Sequence, residues 1–149
     1  PEASINEETK YVIGTNGEKM SKSKNNIINI FLNDKLLKKQ IMSIETDSTP
    51  IESPKNPKTC NVFKIYSFLA SNEEIKNLET KYKSGGFGYG HSKKELLELI
   101  LRKFSKQREK YNYLMSNKNE IDLILDAGSK KAMITANQVM ARVRKKLGY

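Results

Sequence analysis

The hydrophobic pattern in the first third of the chain changes over short distances, which predicts several small elements. Residues 10–14 are strand-like, and the aliphatic side chains at 28, 30 and 32 predict a short extended piece. Asn33 can cap a helix that runs from residue 34 to about residue 44, with its apolar side chains on one face. Residues 45–58 contain three prolines and are predicted to form an irregular connection.

From residue 59 onward the apolar positions recur at helical spacing. Residues 62–70 carry a core-facing stripe at i, i+1, i+4, i+7 and i+8. Ser71 and Glu74 have the spacing of a capping box, which predicts the start of a third helix. Gly85 and the glycine after it are predicted to end that helix, so residues 85–90 are interpreted as an interhelical turn rather than a phosphate-binding glycine loop.

The remaining sequence predicts three more helices. A second capping box at residues 92–95 begins a long helix that carries apolar side chains as far as Met115. Asn117 opens a short helix that Gly128 ends, and Ser129 caps the last helix. The predicted inner face of that last helix is Ala132, Ala136, Val139, Met140, Val143 and Leu147. The fold class predicted is therefore mainly α, an antiparallel helical bundle preceded by a short strand and loop.

The net charge of the chain indicates which class of partner it binds. The 149 residues include 27 basic and 17 acidic side chains, giving a net charge of +10, and this balance favours a polyanion such as RNA or nucleotide phosphates over a merely soluble lysine-rich protein. The single cysteine, Cys60, excludes a disulfide framework and a cysteine-cluster metal site, so we expect a reducing cytoplasm and no bound structural metal. No apolar run approaches bilayer length, and no membrane association is expected. Because the chain begins with Pro1, it is expected to be a piece of a longer protein.

The segment that organises the chemistry is residues 17–26, here called the lysine loop. Lys19 and Lys22 lie three residues apart among small or flexible neighbours, with Ser21 and Ser23 beside them. Two ammonium groups, two hydroxyls and nearby backbone amides can surround a polyphosphate. The alternative from composition alone is a solvated basic loop.

The five residues Lys19–Ser23 resemble the mobile signature loop of the class I aminoacyl-tRNA synthetases. Beyond that loop, the chain resembles the C-terminal part of the tryptophanyl-tRNA synthetase family from about residue 8 to its end. The matching segments are residues 14–23, Asn25 or Asn26, residues 38–41, the Thr-Asp-Ser run at 46–48, residues 60–63, residues 85–90 and the closing helix. The related tyrosyl enzymes usually carry a variant loop and lack the Thr-Asp-Ser run.

This resemblance implies ATP-dependent activation of tryptophan and its transfer to the tryptophan tRNA. Lys19 and Lys22 would stabilise the ATP phosphates together with Mg²⁺ bound to ATP, and would act as the catalytic residues. Ser21 and Ser23 would order the loop, and Met20 would pack beneath it, so that residues 19–23 form the ATP-binding segment. The backbone near Val12 would meet the adenine.

The resemblance also implies a division of the chain. Residues 1–32 would be the edge of the α/β nucleotide-binding catalytic domain, and residues 33–149 would be the helical domain that meets the tRNA anticodon. The family is typically homodimeric through its catalytic domain, so this piece is expected to be monomeric. Thirteen basic side chains suit an RNA-facing surface, although a solvated helix face explains most of them equally well: Lys93, Lys94, Arg102, Lys103, Lys106, Arg108, Lys110, Lys130, Lys131, Arg142, Arg144, Lys145 and Lys146.

One family feature is missing. Class I enzymes also need a His-x-Gly-His signature, whereas this chain has one histidine, His91, which is interpreted as a turn or cap residue. The family builds its nucleotide-binding sheet and its tryptophan pocket upstream of the matching region, so the chain alone is expected to have no activating activity. Asp47, within the Thr-Asp-Ser run, is interpreted as ending or capping a helix. Two alternatives remain: a free-standing basic helical RNA-binding module, and another nucleotidyl-transfer enzyme with a similar lid.

Overall fold

The protein is mainly helical, as predicted. The computed structural model describes residues 11–148. Its helices are α1 (Asp34–Met42), α2 (Asn61–Leu69), α3 (Asn72–Ser84), α4 (Tyr89–Lys103), α5 (Ser105–Ser116) and α6 (Lys118–Leu147). Within those described residues the β pairing is limited to one isolated antiparallel bridge between Ile13 and Lys19. Lys10, the first residue of the predicted strand, lies outside the described residues.

Local capping chemistry explains where α1 and α3 begin. The side chain of Asn33 accepts a hydrogen bond from the Leu36 amide at 2.9 Å, as predicted for an N-cap. The capping box predicted at Ser71 and Glu74 is present, because each side chain accepts from the other residue's backbone amide. At each of these two helix starts, the capping side chain and the amide that it binds therefore lie within one helical turn.

Gly85 ends α3, as predicted, but the interhelical turn covers residues 85–88 rather than 85–90, because α4 already begins at Tyr89. The φ of Gly85, +73°, is a left-handed conformation that glycine adopts without strain. A Cβ at this position would also lie 2.4 Å from the carbonyl oxygen of Glu52, so the close approach itself requires glycine. Phe87, within this turn, and Tyr89, just beyond it, contact the ring of Tyr82 with centroid distances of 6.1 and 6.2 Å.

The core lies where α2 packs against α3 and α4, and where α1 packs against α4. Burying apolar side chains contributes about 25 cal/mol for each Å² removed from water, and this core is the main stabilising feature of the first part of the chain. Cys60 is buried here, as predicted, and its sulfur lies 3.4 Å from the hydroxyl of Tyr82. The buried cluster is Ile13, Leu37, Ile41, Ile44, Cys60, Val62, Ile65, Tyr66, Leu78, Tyr82, Leu96, Leu99 and Ile100.

The predicted start of the fourth helix at Ser92 is wrong. Helix α4 begins at Tyr89 with Gly88 as its N-cap, so Ser92 lies inside the first turn. The Ser92 hydroxyl is fully buried and donates back to the Tyr89 carbonyl at 2.9 Å, which a capping serine does not do. The predicted single helix to residue 115 is also interrupted, because Phe104 leaves the helical conformation (φ −106°, ψ 15°) between α4 and α5.

The chain divides after Arg108 into two compact units, and α5 crosses this boundary. In the second unit, the predicted helix end at Gly128 and cap at Ser129 are wrong, because α6 runs through both positions. A single glycine lowers the stability of a helix by only about 1 kcal/mol. The ion pair between Asp126 and Lys130, at 2.6 Å, bridges the helical turn that contains Gly128. The predicted inner face of this helix is exposed: Val143 has 42% and Leu147 68% of its surface accessible.

Two smaller predictions also need correction. The extended piece predicted for residues 28–32 is wrong, because residues 29–32 form a turn in which the Leu32 amide donates to the Asn29 carbonyl at 3.2 Å. Asp47 does not end or cap a helix, since it lies in the irregular connection between α1 and α2 that was predicted for residues 45–58. Within residues 11–148, no helix is both long and apolar enough to cross a membrane.

Candidate functional site

The first residues of the lysine loop belong to a tight hairpin formed by residues 12–20. The Met20 amide donates to the Val12 carbonyl at 2.8 Å, and the Gly14 amide donates to the Glu18 carbonyl at 2.7 Å. Gly17 allows the chain to reverse its direction at the hairpin turn, because its φ of +79° is a conformation that glycine adopts easily. The strand-like segment predicted before the loop is therefore one side of a hairpin that fixes where the lysine loop begins.

Asn26 closes the other end of the loop and connects it to the hairpin. Its side chain is 2% exposed, accepts from the Ser21 amide at 2.8 Å, and donates to the side chain of Asn16 at 2.7 Å and to the Lys19 carbonyl at 3.2 Å. Its own carbonyl accepts from the Thr15 amide at 2.9 Å. A buried carboxamide with this many partners determines the path of the loop backbone.

The two predicted catalytic lysines lie on the exposed surface of this framework. The side chains of Lys19 and Lys22 are exposed, and neither ammonium group forms an ion pair with another described residue. The hydroxyls of Ser21 and Ser23 lie 2.9 Å apart and face each other. The third lysine, Lys24, differs, because it pairs with Glu18 at 2.8 Å and thereby lowers the pKa of that carboxyl.

Met20 and Val12 lie side by side across the hairpin. Met20 is half-buried, in keeping with the expected packing beneath the loop, and Val12 is 43% exposed. The Val12 carbonyl is occupied by the Met20 amide. The structure therefore brings all six predicted nucleotide-site residues (Val12, Lys19, Met20, Ser21, Lys22 and Ser23) into one hairpin and its loop.

The connection between α1 and α2 is held by two ionisable side chains. Lys55 is 4% exposed and its ammonium donates to the carbonyls of Pro50, Ile51 and Ser53 at 3.1 to 3.4 Å. The carboxylate of Asp47 accepts from the Thr49 amide at 2.9 Å, and hydrogen bonds from Thr49 are the main reason why its pKa is lowered.

Tyr89, at the start of α4, also binds this connection. Its hydroxyl donates to the same carboxylate of Asp47 at 2.8 Å, and burial together with this bond raises the pKa of Tyr89 to about 12. The ammonium of Lys55 lies 5.2 Å from the centre of the Tyr89 ring. The irregular connection is therefore held to a helix that follows it by more than thirty residues.

Several basic side chains that were predicted to face RNA are engaged in the fold. Lys93 donates to the Met42 carbonyl at the end of α1 at 3.0 Å, and its burial lowers its pKa. Lys103 donates to the Leu69 carbonyl at the end of α2, and cations are favoured at such helix ends. Arg108, mostly buried, binds the Ile30 carbonyl and Asp34.

Further predicted RNA-facing cations form ion pairs: Arg102 with Glu74, Lys110 with Glu120 and Lys130 with Asp126. The side chains that form no hydrogen bond or ion pair with another described residue are Lys94, Lys106, Lys131, Arg142, Arg144, Lys145 and Lys146.

Sequence reasoning missed the residues that hold the loop. Asn16, Asn26 and Asn61 entered only within segments that resemble the family, and Glu45 was given no role. The Glu45 amide donates to the Thr15 carbonyl at 2.8 Å, and the Asn61 side chain donates to the Glu45 carbonyl at 3.1 Å. An asparagine next to a glycine, as at Asn16, is a usable signal for such a turn, because its side chain bonds to nearby backbone.

Comparisons with known proteins bear on the family of this chain. The family profile described as tRNA synthetases class I (W and Y) matches residues 2–105. A tryptophan–tRNA ligase of Campylobacter jejuni (strain RM1221) is 47% identical over 148 residues, which is 99% of this chain and 46% of the relative. One from Fusobacterium nucleatum is 45% identical over the same length, which is 99% of this chain and 45% of the relative.

A solved structure gives the same result. Tryptophanyl-tRNA synthetase from Campylobacter jejuni, complexed with ADP and tryptophan, matches with a TM-score of 0.93 and 46% identity, over 100% of this chain and 47% of that one. The chain thus spans about half the length of the curated relatives it matches. The predicted resemblance is confirmed, and the chain belongs to the class I tRNA synthetases, in the family of the tryptophan and tyrosine enzymes.

Proposed function

We propose that this chain is part of a tryptophan–tRNA ligase, which activates tryptophan with ATP and transfers it to the tryptophan tRNA. The observation that supports this most directly is the 47% identity to a named tryptophan–tRNA ligase over nearly the whole chain. The matching solved structure is described as a complex with ADP and tryptophan, which agrees with an adenine nucleotide and this amino acid as ligands.

In this proposal the lysine loop binds the phosphates of ATP. When the tryptophan carboxylate attacks the α-phosphorus, negative charge builds on the departing pyrophosphate. Lys19 and Lys22 would stabilise that charge more in the transition state than in the ground state, which is how positioned cations raise a rate. Their exposure supports this role, because each ammonium is available to a ligand.

The other loop residues would have supporting roles. Ser21 and Ser23 would order the loop and add hydroxyl donors, Met20 would pack beneath it, and the backbone near Val12 would meet the adenine. A loop with exposed polar side chains on a fixed hairpin can open and close over substrate, as catalytic lids do.

Mg²⁺ would enter this site with ATP. Among residues 11–148 no group of three or more histidine, cysteine or carboxylate side chains is arranged to hold a metal ion. Phosphate-bound Mg²⁺ commonly keeps its ligands on the substrate, with few from the protein, so the proposed loop needs to supply cations and hydroxyls rather than carboxylates.

The remaining chain would form the tRNA-binding part. We propose that residues 1–32 are the edge of the α/β catalytic domain, with the hairpin as its strand remnant. Residues 33–149 would be an antiparallel helical domain that meets the tRNA anticodon. The cations that pair with no other residue among 11–148, such as Lys94 and Arg142, are better candidates for RNA contact than those engaged in the fold. The complete protein would be a cytoplasmic homodimer, and the chain alone a monomer.

The activation step can be tested by tryptophan-dependent exchange between pyrophosphate and ATP in the complete protein that contains this sequence. Lys22→Met is expected to lower kcat by about 10²–10³-fold without raising the KM for tryptophan, the effect typical of losing a transition-state charge contact. Lys35→Met, at an exposed lysine of α1, is the matched control and should leave kcat unchanged. A wild-type protein without exchange activity would overturn the proposal. The 149-residue chain alone should show no exchange, since it lacks a His-x-Gly-His signature.

The tRNA contact needs a separate experiment. The chain is titrated with the anticodon stem-loop of the tryptophan tRNA and with a scrambled loop over a series of salt concentrations. We expect selective binding of the correct loop. Equal affinities with a steep salt dependence would indicate generic phosphate binding and would favour the alternative, a free-standing basic RNA-binding module.

A further inference from the structure

The first turns of α4 hold the chain segment that follows α1. Tyr89 donates its hydroxyl to Asp47, and Lys93 donates its ammonium to the Met42 carbonyl, at 2.8 and 3.0 Å. These contacts join residues that are 42 and 51 positions apart in the sequence. Between the two attachment points lie residues 43–46, which are therefore fixed at both ends by one helix.

The same short segment holds the hairpin beneath the lysine loop. At its centre, the Glu45 amide donates to the Thr15 carbonyl at 2.8 Å. The Glu45 carbonyl in turn accepts from Asn61, whose side chain lies so close to Gly17 that a Cβ there would be 2.7 Å from it. The hairpin turn is thus enclosed by the segment on one side and by the start of α2 on the other.

The contacts of Tyr89 make it a rigid point of attachment. Its ring packs edge-on against Tyr82, which is 1% exposed in the core, and the buried ammonium of Lys55 lies over its face. Its hydroxyl therefore has little freedom, and Asp47 is held at a defined distance from the core. Functional groups need such support to stay within fractions of an ångström of a productive geometry.

We infer that Tyr89 and Lys93 are positioning residues for the lysine loop, and that they act through Glu45 and the Thr15 carbonyl on the base of the hairpin. This inference rests on the proposed function for its effect on catalysis, but its structural part does not. Neither side chain belongs to the loop, so both influence the orientation of Lys19 and Lys22 from a distance. It also explains why Lys93, predicted to face RNA, is partly buried.

Amide hydrogen exchange in this chain tests the structural part without any activity. Tyr89→Phe keeps the packed ring and removes only the hydroxyl, and Lys93→Met removes the ammonium with little change in length. Each is expected to accelerate exchange at the Glu45 amide by about tenfold, the effect of losing one hydrogen bond to a charged group. Unchanged exchange at Glu45 in both variants would overturn the inference.

Two control variants separate this effect from general destabilisation. Lys94→Met removes the neighbouring exposed lysine of the same helix, and Tyr113→Phe removes a hydroxyl that interacts with Glu120. Neither should change exchange at Glu45. A core amide, that of Leu99, should keep its protection in Tyr89→Phe, and equal acceleration at Leu99 and Glu45 would show a merely structural role and overturn the inference.

Kinetics of the complete protein test the consequence. Tyr89→Phe is expected to lower kcat for pyrophosphate exchange about tenfold while leaving the KM for tryptophan unchanged. Asp47→Asn keeps an acceptor oxygen for the Tyr89 hydroxyl and should retain most activity, whereas Asp47→Ala should resemble Tyr89→Phe. An active wild type with an unaffected Tyr89→Phe variant would refute the positioning role alone. An inactive wild type would refute the proposed function. The amide hydrogen exchange at Glu45 would then decide the inference.

Discussion

Replacing Asn26 by alanine should detach the lysine loop from its hairpin without changing the charge of the loop. The substitution removes three side-chain hydrogen bonds, to the Ser21 amide, the Asn16 side chain and the Lys19 carbonyl. Each such bond contributes about 1 kcal/mol net, and a partner left buried and unpaired costs more. Because these partners are partly exposed and can regain water, we expect a local loss of about 2–3 kcal/mol.

Hydrogen exchange is the suitable assay because the chain has two units, and a single unfolding transition cannot be assumed. A loss of about 2 kcal/mol corresponds to about thirtyfold faster exchange of the Ser21 amide. Asn25→Gly is the matched control: Asn25 has a φ of +50°, which glycine adopts freely, so stability should change by no more than about 0.5 kcal/mol. Unchanged protection of Ser21 in Asn26→Ala, or equal loss in both variants, would refute the reasoning.

Three further outcomes are expected. Leu96→Ala, at a fully buried position of the first unit, should lower the free energy of unfolding of that unit by about 2–5 kcal/mol, whereas Leu36→Ala, at a position of the same unit that is 45% exposed, should change it by much less; equal hydrogen-exchange protection of the buried Leu99 amide in the two variants would contradict the burial of Leu96. Gly85→Ala should lower the melting temperature more than Gly86→Ala, since both have a φ of +73° but only the first places a Cβ against backbone; the reverse order would contradict that contact. Tyr89 should titrate near pH 12, measured as the ultraviolet absorbance difference between wild type and Tyr89→Phe. Because its folded pKa is raised from 10, its stabilising contribution is fully present below pH 10 and is lost as the pH rises through 12; titration at pH 10 would contradict the buried, bonded hydroxyl.

Three local signals in the sequence predicted helix boundaries correctly, and in each the interacting groups lie within one helical turn. Asn33 caps α1, the box at Ser71 opens α3, and Gly85 ends it, all as predicted. The box at residues 92–95 failed, although its spacing is the same. There, Ser92 is buried in the core and the N-cap is Gly88, four residues before the predicted one. Capping residues thus mark candidate helix starts, and the packing of the core decides which of them is used.

The amphipathic pattern of the last helix shows a second limit. Val139, Val143 and Leu147 share one face at helical spacing, and the pattern alone predicted that this face is buried. In the described chain all three are exposed. Periodicity shows which side chains lie together on a helix, but it carries no information about what covers them.

The sequence by itself determined the helical class of this protein and the family to which it belongs, because helix caps and the string at residues 19–23 depend only on near neighbours. It also identified the two exposed lysines of the proposed site. Only the tertiary structure decided how the loop is held, since Asn26 acts over ten residues and Tyr89 over forty-two. Such partners are chosen when folding excludes water from a polar group, which must then bond to whatever lies beside it. That choice depends on the packing of the whole unit, and no spacing in the sequence encodes it.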